Sequence, residues 1–337
     1  MLLRRLYFRA LIAAALIVLV LWRAEVWQLP DTLGRTNWLV ALAVLFLHLP
    51  IIALWALRSH LVLAKLGYRV PLGPLVLVTT LGNVAGALTP VGSGDILRGI
   101  ALRDRHALEP VSAAAVVLYE RLYLMFLLAL SAATAVAAQI VIERPWAVLI
   151  VLAAGVALAG CGGFLYVLTS APVRSAIEGI WVKGSTSAGR GRVAWLGDLD
   201  EMLGSLFRNA RLSLSFSLIT GLAYGITAVQ VWLLIDDLGA HVSLMEAWTA
   251  YAVASLVGML VMLPAGLGVW DATMPAILSS RGVDLLVATA VTLLLRVLIT
   301  LPLGLLAAAS YLLLMRGGYI APSKREPVPA PASEYLP

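Results

Sequence analysis

Six stretches of this chain are each apolar enough, and long enough, to cross a hydrocarbon layer as a helix. They are approximately Leu6–Trp22, Asn37–Leu57, Pro110–Gln139, Trp146–Leu168, Leu212–Ile235 and Leu285–Met315. A helix needs about 20 residues to span such a layer, and a soluble domain has no use for so many runs of that length. Composition agrees: 61% of the 337 residues are hydrophobic, only 12% are charged, and the mean hydropathy is +0.96. In a soluble protein the formal charge of +6 would point to nucleic acid. Here the basic residues stand between apolar runs, where they act as topology signals, and no nucleic-acid partner is expected.

The first apolar run follows Arg4 and Arg5, as in a signal peptide, but no small-residue cleavage site follows Trp22. A retained first helix is therefore expected. The single cysteine, Cys161, lies inside an apolar run, which rules out disulfides and cysteine metal sites. His48, His60, His106 and His241 have no ligand spacing, so neither a metal nor another cofactor is expected.

Two further apolar stretches, Pro74–Thr89 and Leu244–Leu263, end alike. One runs into Pro90-Val-Gly92-Ser-Gly94-Asp95, the other into Pro264-Ala-Gly266-Leu-Gly268-Val-Trp-Asp271. Each Pro-x-Gly-x-Gly is followed by an acid and then by an apolar helix carrying an arginine. The distance is 31 residues from Pro90 to Arg121 and 32 from Pro264 to Arg296. Ala113-Ala-Ala-Val precedes the first arginine and Ala288-Thr-Ala-Val the second. A matched spacing of this kind marks an internal repeat.

If both stretches re-enter on the side they left, nearly all Lys and Arg outside the membrane, Arg58, Arg98, Arg103 and Arg105 among them, become cytoplasmic. The exceptions are Arg23, Arg35, Arg144 and Arg281. The expected fold is all-α: six transmembrane helices plus two re-entrant helical hairpins, arranged as an inverted-topology repeat. Residues 1–145 form the first repeat and 146–316 the second. The second contains a cytoplasmic amphipathic loop, 172–211, in which Leu196, Leu199, Leu203 and Leu206 share a face. That face suits either a helix lying in the membrane interface or an ordinary linker helix. Residues 317–337 read as a disordered cytoplasmic tail.

An arginine deep in the bilayer costs at least about 2.5–3.5 kcal/mol, so it persists by pairing or by serving a polar pathway. Arg121 and Arg296 either hold an anionic headgroup, which a guanidinium binds bidentately, or pair with Glu120, Asp95 or Asp271 and tie each hairpin to its helix. Asp95 and Asp271 are helix N-caps or the acids of a gate. Arg98, one turn from Asp95, pairs with it or meets the headgroup at the cytoplasmic mouth. Gly92, Gly94, Gly266 and Gly268 serve tight turning and close approach, or present N–H groups to an anion. Asn83 either satisfies broken backbone or touches ligand. Glu120 has no Ser, His or second acid to complete a catalytic site.

These residues resemble the transmembrane region of the lysylphosphatidylglycerol synthases, a family that includes stand-alone flippase-like chains. The resemblance rests on Leu81-Gly-Asn83 leading to Pro90-Val-Gly-Ser-Gly94-Asp95-x-x-Arg98, on Glu120-Arg121, and on Pro264-Ala-Gly-Leu-Gly268, Asp271, Gly282-Val283 and Arg296. It covers about residues 5 to 316 and implies lipid translocation across the bacterial cytoplasmic membrane, through a cavity between two re-entrant hairpins. Relatives are linked to aminoacylated phosphatidylglycerol, polyprenyl-linked sugars and hopanoids. The family commonly has Glu where this chain has Asp95 and Asp271. No stretch of these residues would house the soluble aminoacyl-transferase domain, so lysyl transfer is not expected of them.

The leading expectation is thus a non-enzymatic flippase for an anionic membrane lipid, with both termini cytoplasmic. No Walker-type Gly-Lys-Ser/Thr appears, so no ATP is expected. A membrane transferase using Asp95, Glu120 or Asp271 is one alternative. A non-catalytic partner of a lipid-modifying enzyme is another, and a homo-oligomer is left open.

Overall fold

The computed structural model of the chain describes residues 26–88, 93–106, 108–140, 187–261 and 266–315. Leu6–Trp22, Trp146–Leu168, Cys161, the tip residues Pro90, Gly92 and Pro264, residues 172–186 of the amphipathic loop, and the tail 317–337 lie outside them. Among the described residues all regular structure is helical.

A single 3₁₀ turn, Val26–Gln28, leads into α1 (Leu29–Gly34). The chain continues through α2 (Trp38–Lys65), α3 (Leu72–Leu88), α4 (Ser93–His106) and α5 (Pro110–Ile140). After the segment that is not described come α6 (Ser187–Phe207), α7 (Ala210–Asp237), α8 (Leu244–Val261), α9 (Val269–Ser280) and α10 (Leu285–Met315). Local chemistry sets these starts. The Asn37 side chain accepts from Leu39 N–H at 3.0 Å and Asn209 from Leu212 N–H at 3.0 Å. Asp284 accepts from Leu286 N–H at 2.9 Å, and α5 opens on Pro110. Each device satisfies a helix donor left without an intrahelical acceptor, or, in the case of proline, removes it.

Among the described residues five helices, Trp38–Lys65, Pro110–Ala135, Ala210–Asp237, Leu244–Val261 and Leu285–Ser310, are long and apolar enough to cross a membrane. The protein is a multi-pass membrane protein. Its outward residues suit lipid: Phe46, Leu214, Leu218, Leu222, Leu301 and Leu305 are all large, apolar and exposed. Its inward residues are often small, including Ala129, Ala132, Ala250, Ala254 and Ala288. Small side chains let backbones approach, which is how helices gain packing energy where lipid removes the hydrophobic drive.

The packing has an internal regularity. Exchange α2 with α7, α3 with α8, α4 with α9 and α5 with α10, and the contacts map onto one another. Thus α3 packs on α4 as α8 packs on α9, and α4 on α5 as α9 on α10. Across the halves, α5 packs on α8 as α10 packs on α3, while α2 and α7 pack on each other. Gln230 fastens this last contact by donating to the Val44 carbonyl at 2.7 Å. Trp248 fastens α8 to α5 by donating to Ser131 at 2.6 Å.

At the surface, one open reading narrows and one expectation changes. Leu199, Leu203 and Leu206 are buried because α6 lies against α5 and α7, so protein, rather than the membrane interface, takes the apolar stripe. Arg58 was expected in a cytoplasmic segment after Leu57. Instead α2 continues to Lys65 and Arg58 is 7% exposed within it.

Candidate functional site

Two short return helices carry the acids. α4 folds back along α3 because Gly94 has no side chain: a Cβ there would lie on the Gly82 carbonyl oxygen and the Gly86 backbone nitrogen. Here the two helix backbones touch. α9 folds back along α8 by another route. Gly266 and Gly268 adopt φ of +64° and +79°, which L side chains avoid. Gly258 then faces the Gly266 backbone and the Trp270 Cβ.

The arginines stand at the same depth in α5 and α10, counted from each helix start, yet their pairing differs. Arg296 Nε donates to Asp271 Oδ1 at 2.7 Å, with side-chain exposures of 23% and 11%. The other Asp271 oxygen accepts from Gly268 N–H at 2.9 Å. Asp271 therefore sits at the third helical position and reaches back to cap α9, while Gly268 holds the N-cap position itself. Trp270 lies under the Arg296 guanidinium, 4.9 Å from ring centroid to carbon, a cation–π contact. Arg121 and Asp95 only approach: Nε to Oδ2 is 3.8 Å, and the side chains are 39% and 30% exposed. That is an ion pair without hydrogen-bond geometry.

Arg98 does not pair with Asp95. Its stem crosses α3 over Gly82, where a Cβ would stand 3.0 Å from the Arg98 Cβ. Its guanidinium meets Glu120 at 2.6 Å and donates to Ser59 of α2 at 2.9 Å. Glu120 and Arg121 are chain neighbours, about 100° apart around α5, and so serve different sides. Arg121 faces the outer seam with Asp95, and Glu120 the interior with Arg98. Asn83 is exposed on α3 and joins neither pair of charges.

A cavity of about 530 Å³ opens along that outer seam. It follows α4 from Asp95 to Arg103 and α5 from Pro110 to Met125, with Met259 of α8 beside it. Ile96, Ile100, Val117 and Leu118 make its walls apolar. Charge stands at its ends: Arg103 where α4 passes into α5, Asp95 and Arg121 at the other. The shape suits a ligand with an apolar chain and an anionic end. Among the described residues no group of His, Cys, Asp and Glu is placed to hold a metal ion.

Arg58 was missed as a site residue. It donates to Thr220 of α7 at 3.2 Å and lies 5.1 Å from the Phe216 ring centroid. The signal was present in the sequence. Leu61-Val-Leu-Ala64 resumes the apolar run just after Arg58-Ser-His60, so the charge interrupts a helix and does not end it.

A family model described as the lysylphosphatidylglycerol synthase TM region matches residues 7–307. No curated protein matches the chain.

Proposed function

The chain belongs to the lysylphosphatidylglycerol synthase TM-region family, and from that premise we propose that it translocates an anionic lipid across the bacterial cytoplasmic membrane. The observation that carries the reading is the slack Asp95–Arg121 pair, 3.8 Å apart and open to an apolar groove. A phosphate engages a guanidinium through two parallel hydrogen bonds, whereas Asp95 makes none with Arg121 here. The headgroup therefore has more to gain at Arg121 than Asp95 has to lose. The acyl chain stays against Ile96, Ile100 and Leu118, facing the surrounding lipid. Arg103, at the far end of the groove, attracts the anion to the cytoplasmic mouth, and Arg121 receives it deeper.

The exchange regularity of the packing supports a repeat of two hairpin units, which we read as inverted and re-entrant, with both termini cytoplasmic from the distribution of basic residues. Such pairs rock about a site between them. The account needs no bond-making step. Glu120 is held by Arg98, and Asp271 by Arg296 and Gly268 N–H, which favours a role for both in joining helices.

The test is reconstitution into vesicles carrying a fluorescent short-chain phosphatidylglycerol, with an impermeant quencher reporting its transfer between leaflets. Arg121→Ala should slow transfer about tenfold or more, as expected for the loss of a charged hydrogen-bond donor. A wild-type rate equal to that of empty vesicles would refute the proposal.

A further inference from the structure

Behind the groove lies an excess of buried positive charge. Arg58, Arg98 and Glu120 are 7%, 9% and 4% exposed, so two guanidiniums share one carboxylate. Arg98 takes that carboxylate at 2.6 Å. Among the described residues no carboxylate pairs with Arg58. Its contacts there are the Thr220 hydroxyl and the Phe216 ring, and its Nε is buried without an acceptor. The Nε of Arg98 is buried without an acceptor too. An uncompensated guanidinium inside a membrane helix bundle is among the most costly arrangements a protein can keep. Removing it would stabilise the fold, so its presence calls for a use.

The surroundings point to that use. Ser59 and Thr220 bring hydroxyls to the two arginines. The Tyr224 hydroxyl on the same helix as Thr220 is also buried without a partner. Arg121 in the groove and Arg58 in the interior, where α2 meets α7, are thus the two ends of the arrangement. The α4–α5 seam separates the two ends, closed inside by Arg98–Glu120 and outside by Asp95–Arg121.

We propose that Arg58 and Arg98, with the Ser59 and Thr220 hydroxyls, form an interior binding site for a phosphate-type anion, distinct from the groove at Arg121. In the translocation reading, on which its role in transport rests, it is the second station of the headgroup. The anion takes the free Nε–H of each arginine and supplies the missing negative charge. Glu120 meanwhile occupies one of the two cations, Arg98.

The experiment uses the full chain in phosphatidylcholine nanodiscs, with thermal unfolding followed by tryptophan fluorescence. Dioctanoyl phosphatidylglycerol is titrated in one arm and inorganic phosphate in the other. Arg58→Gln without anion should melt higher than wild type, because the buried charge is gone. Wild type should be stabilised by anion, and Arg58→Gln should need about tenfold more for the same shift. A response to the lipid alone identifies a headgroup carried with its tail, and a response in both arms a site open to free anions. Either supports the site. A lower melting temperature in Arg58→Gln, or an anion response equal to wild type's, overturns it. If transport ignores Arg121 while Arg58→Gln loses the anion response, the translocation reading fails and this site stands. If transport needs Arg121 while Arg58→Gln responds as wild type does, only the site fails.

Discussion

In the first hairpin, Gly94 lets two helix backbones touch. In the second, Gly266 and Gly268 turn the chain through left-handed φ of +64° and +79°. The same contrast runs through the charges. Asp271 is committed two ways, to Arg296 and to its own helix start, and Arg296 is in turn stacked on Trp270. Asp95 has an ion-pair approach of 3.8 Å and an open cavity. Two copies of one sequence pattern thus differ: the second holds its acid and arginine in a hydrogen-bonded pair, and the first in a looser one. The first copy also adds an inner layer that the second lacks. Arg98 and Glu120 tie α4 to α5 inside the bundle, whereas the neighbour of Arg296 is the buried, apolar Leu295.

The largest expected effect that tests this contrast is on stability. Arg296→Ala leaves a mostly buried carboxylate without its cation and should destabilise the protein by about 3 kcal/mol or more. Thermal unfolding in detergent measures it, and a loss near zero would erase the distinction between the copies. Gly94→Ala comes next. Its methyl group falls on the Gly82 and Gly86 backbone, and neither backbone atom can yield as a flexible side chain would. Overpacking of that kind costs about 1–3 kcal/mol. Gly258→Ala, whose methyl would meet Trp270 Cβ at 3.4 Å, should cost less than about 1 kcal/mol when measured in the same way, since helix propensity favours Ala over Gly. The smallest stability effect belongs to Arg121→Ala. A half-exposed pair of this looseness is worth about 0–1 kcal/mol, so this variant should melt near wild type even where transport is lost.

Much of this was legible in the sequence, and the exceptions have physical reasons. The apolar runs and the repeated Pro-x-Gly-x-Gly fixed the helices and drew attention to Asp95, Arg121, Asp271 and Arg296. Spacing along the chain placed each acid near its arginine, but it carried nothing about slack. The difference between 2.7 Å and 3.8 Å depends on how closely α9 and α4 lie on α10 and α5. Arg98 looked like a partner for Asp95 at helical spacing. Gly82 opened a route across α3 that a one-dimensional reading does not contain. Arg58 falls to a cytoplasmic segment in the sequence because it follows a stretch already long enough to span. The helix runs on, and α7 supplies Thr220 and Phe216 from 162 and 158 residues away in sequence. The apolar face of α6 was visible, but which apolar phase would cover it was a matter of tertiary packing.

The central claim is that Arg121 serves a ligand whereas Arg296 serves the fold. Exchanging the charges of the first pair, Asp95→Arg with Arg121→Asp, keeps an ion pair across the α4–α5 seam and moves the guanidinium onto the other helix. The account predicts a double variant that melts within a few degrees of wild type and moves anionic lipid no faster than Arg121→Ala. Recovery of wild-type transport by the exchanged pair would mean that Asp95 and Arg121 only hold two helices together, and would contradict it.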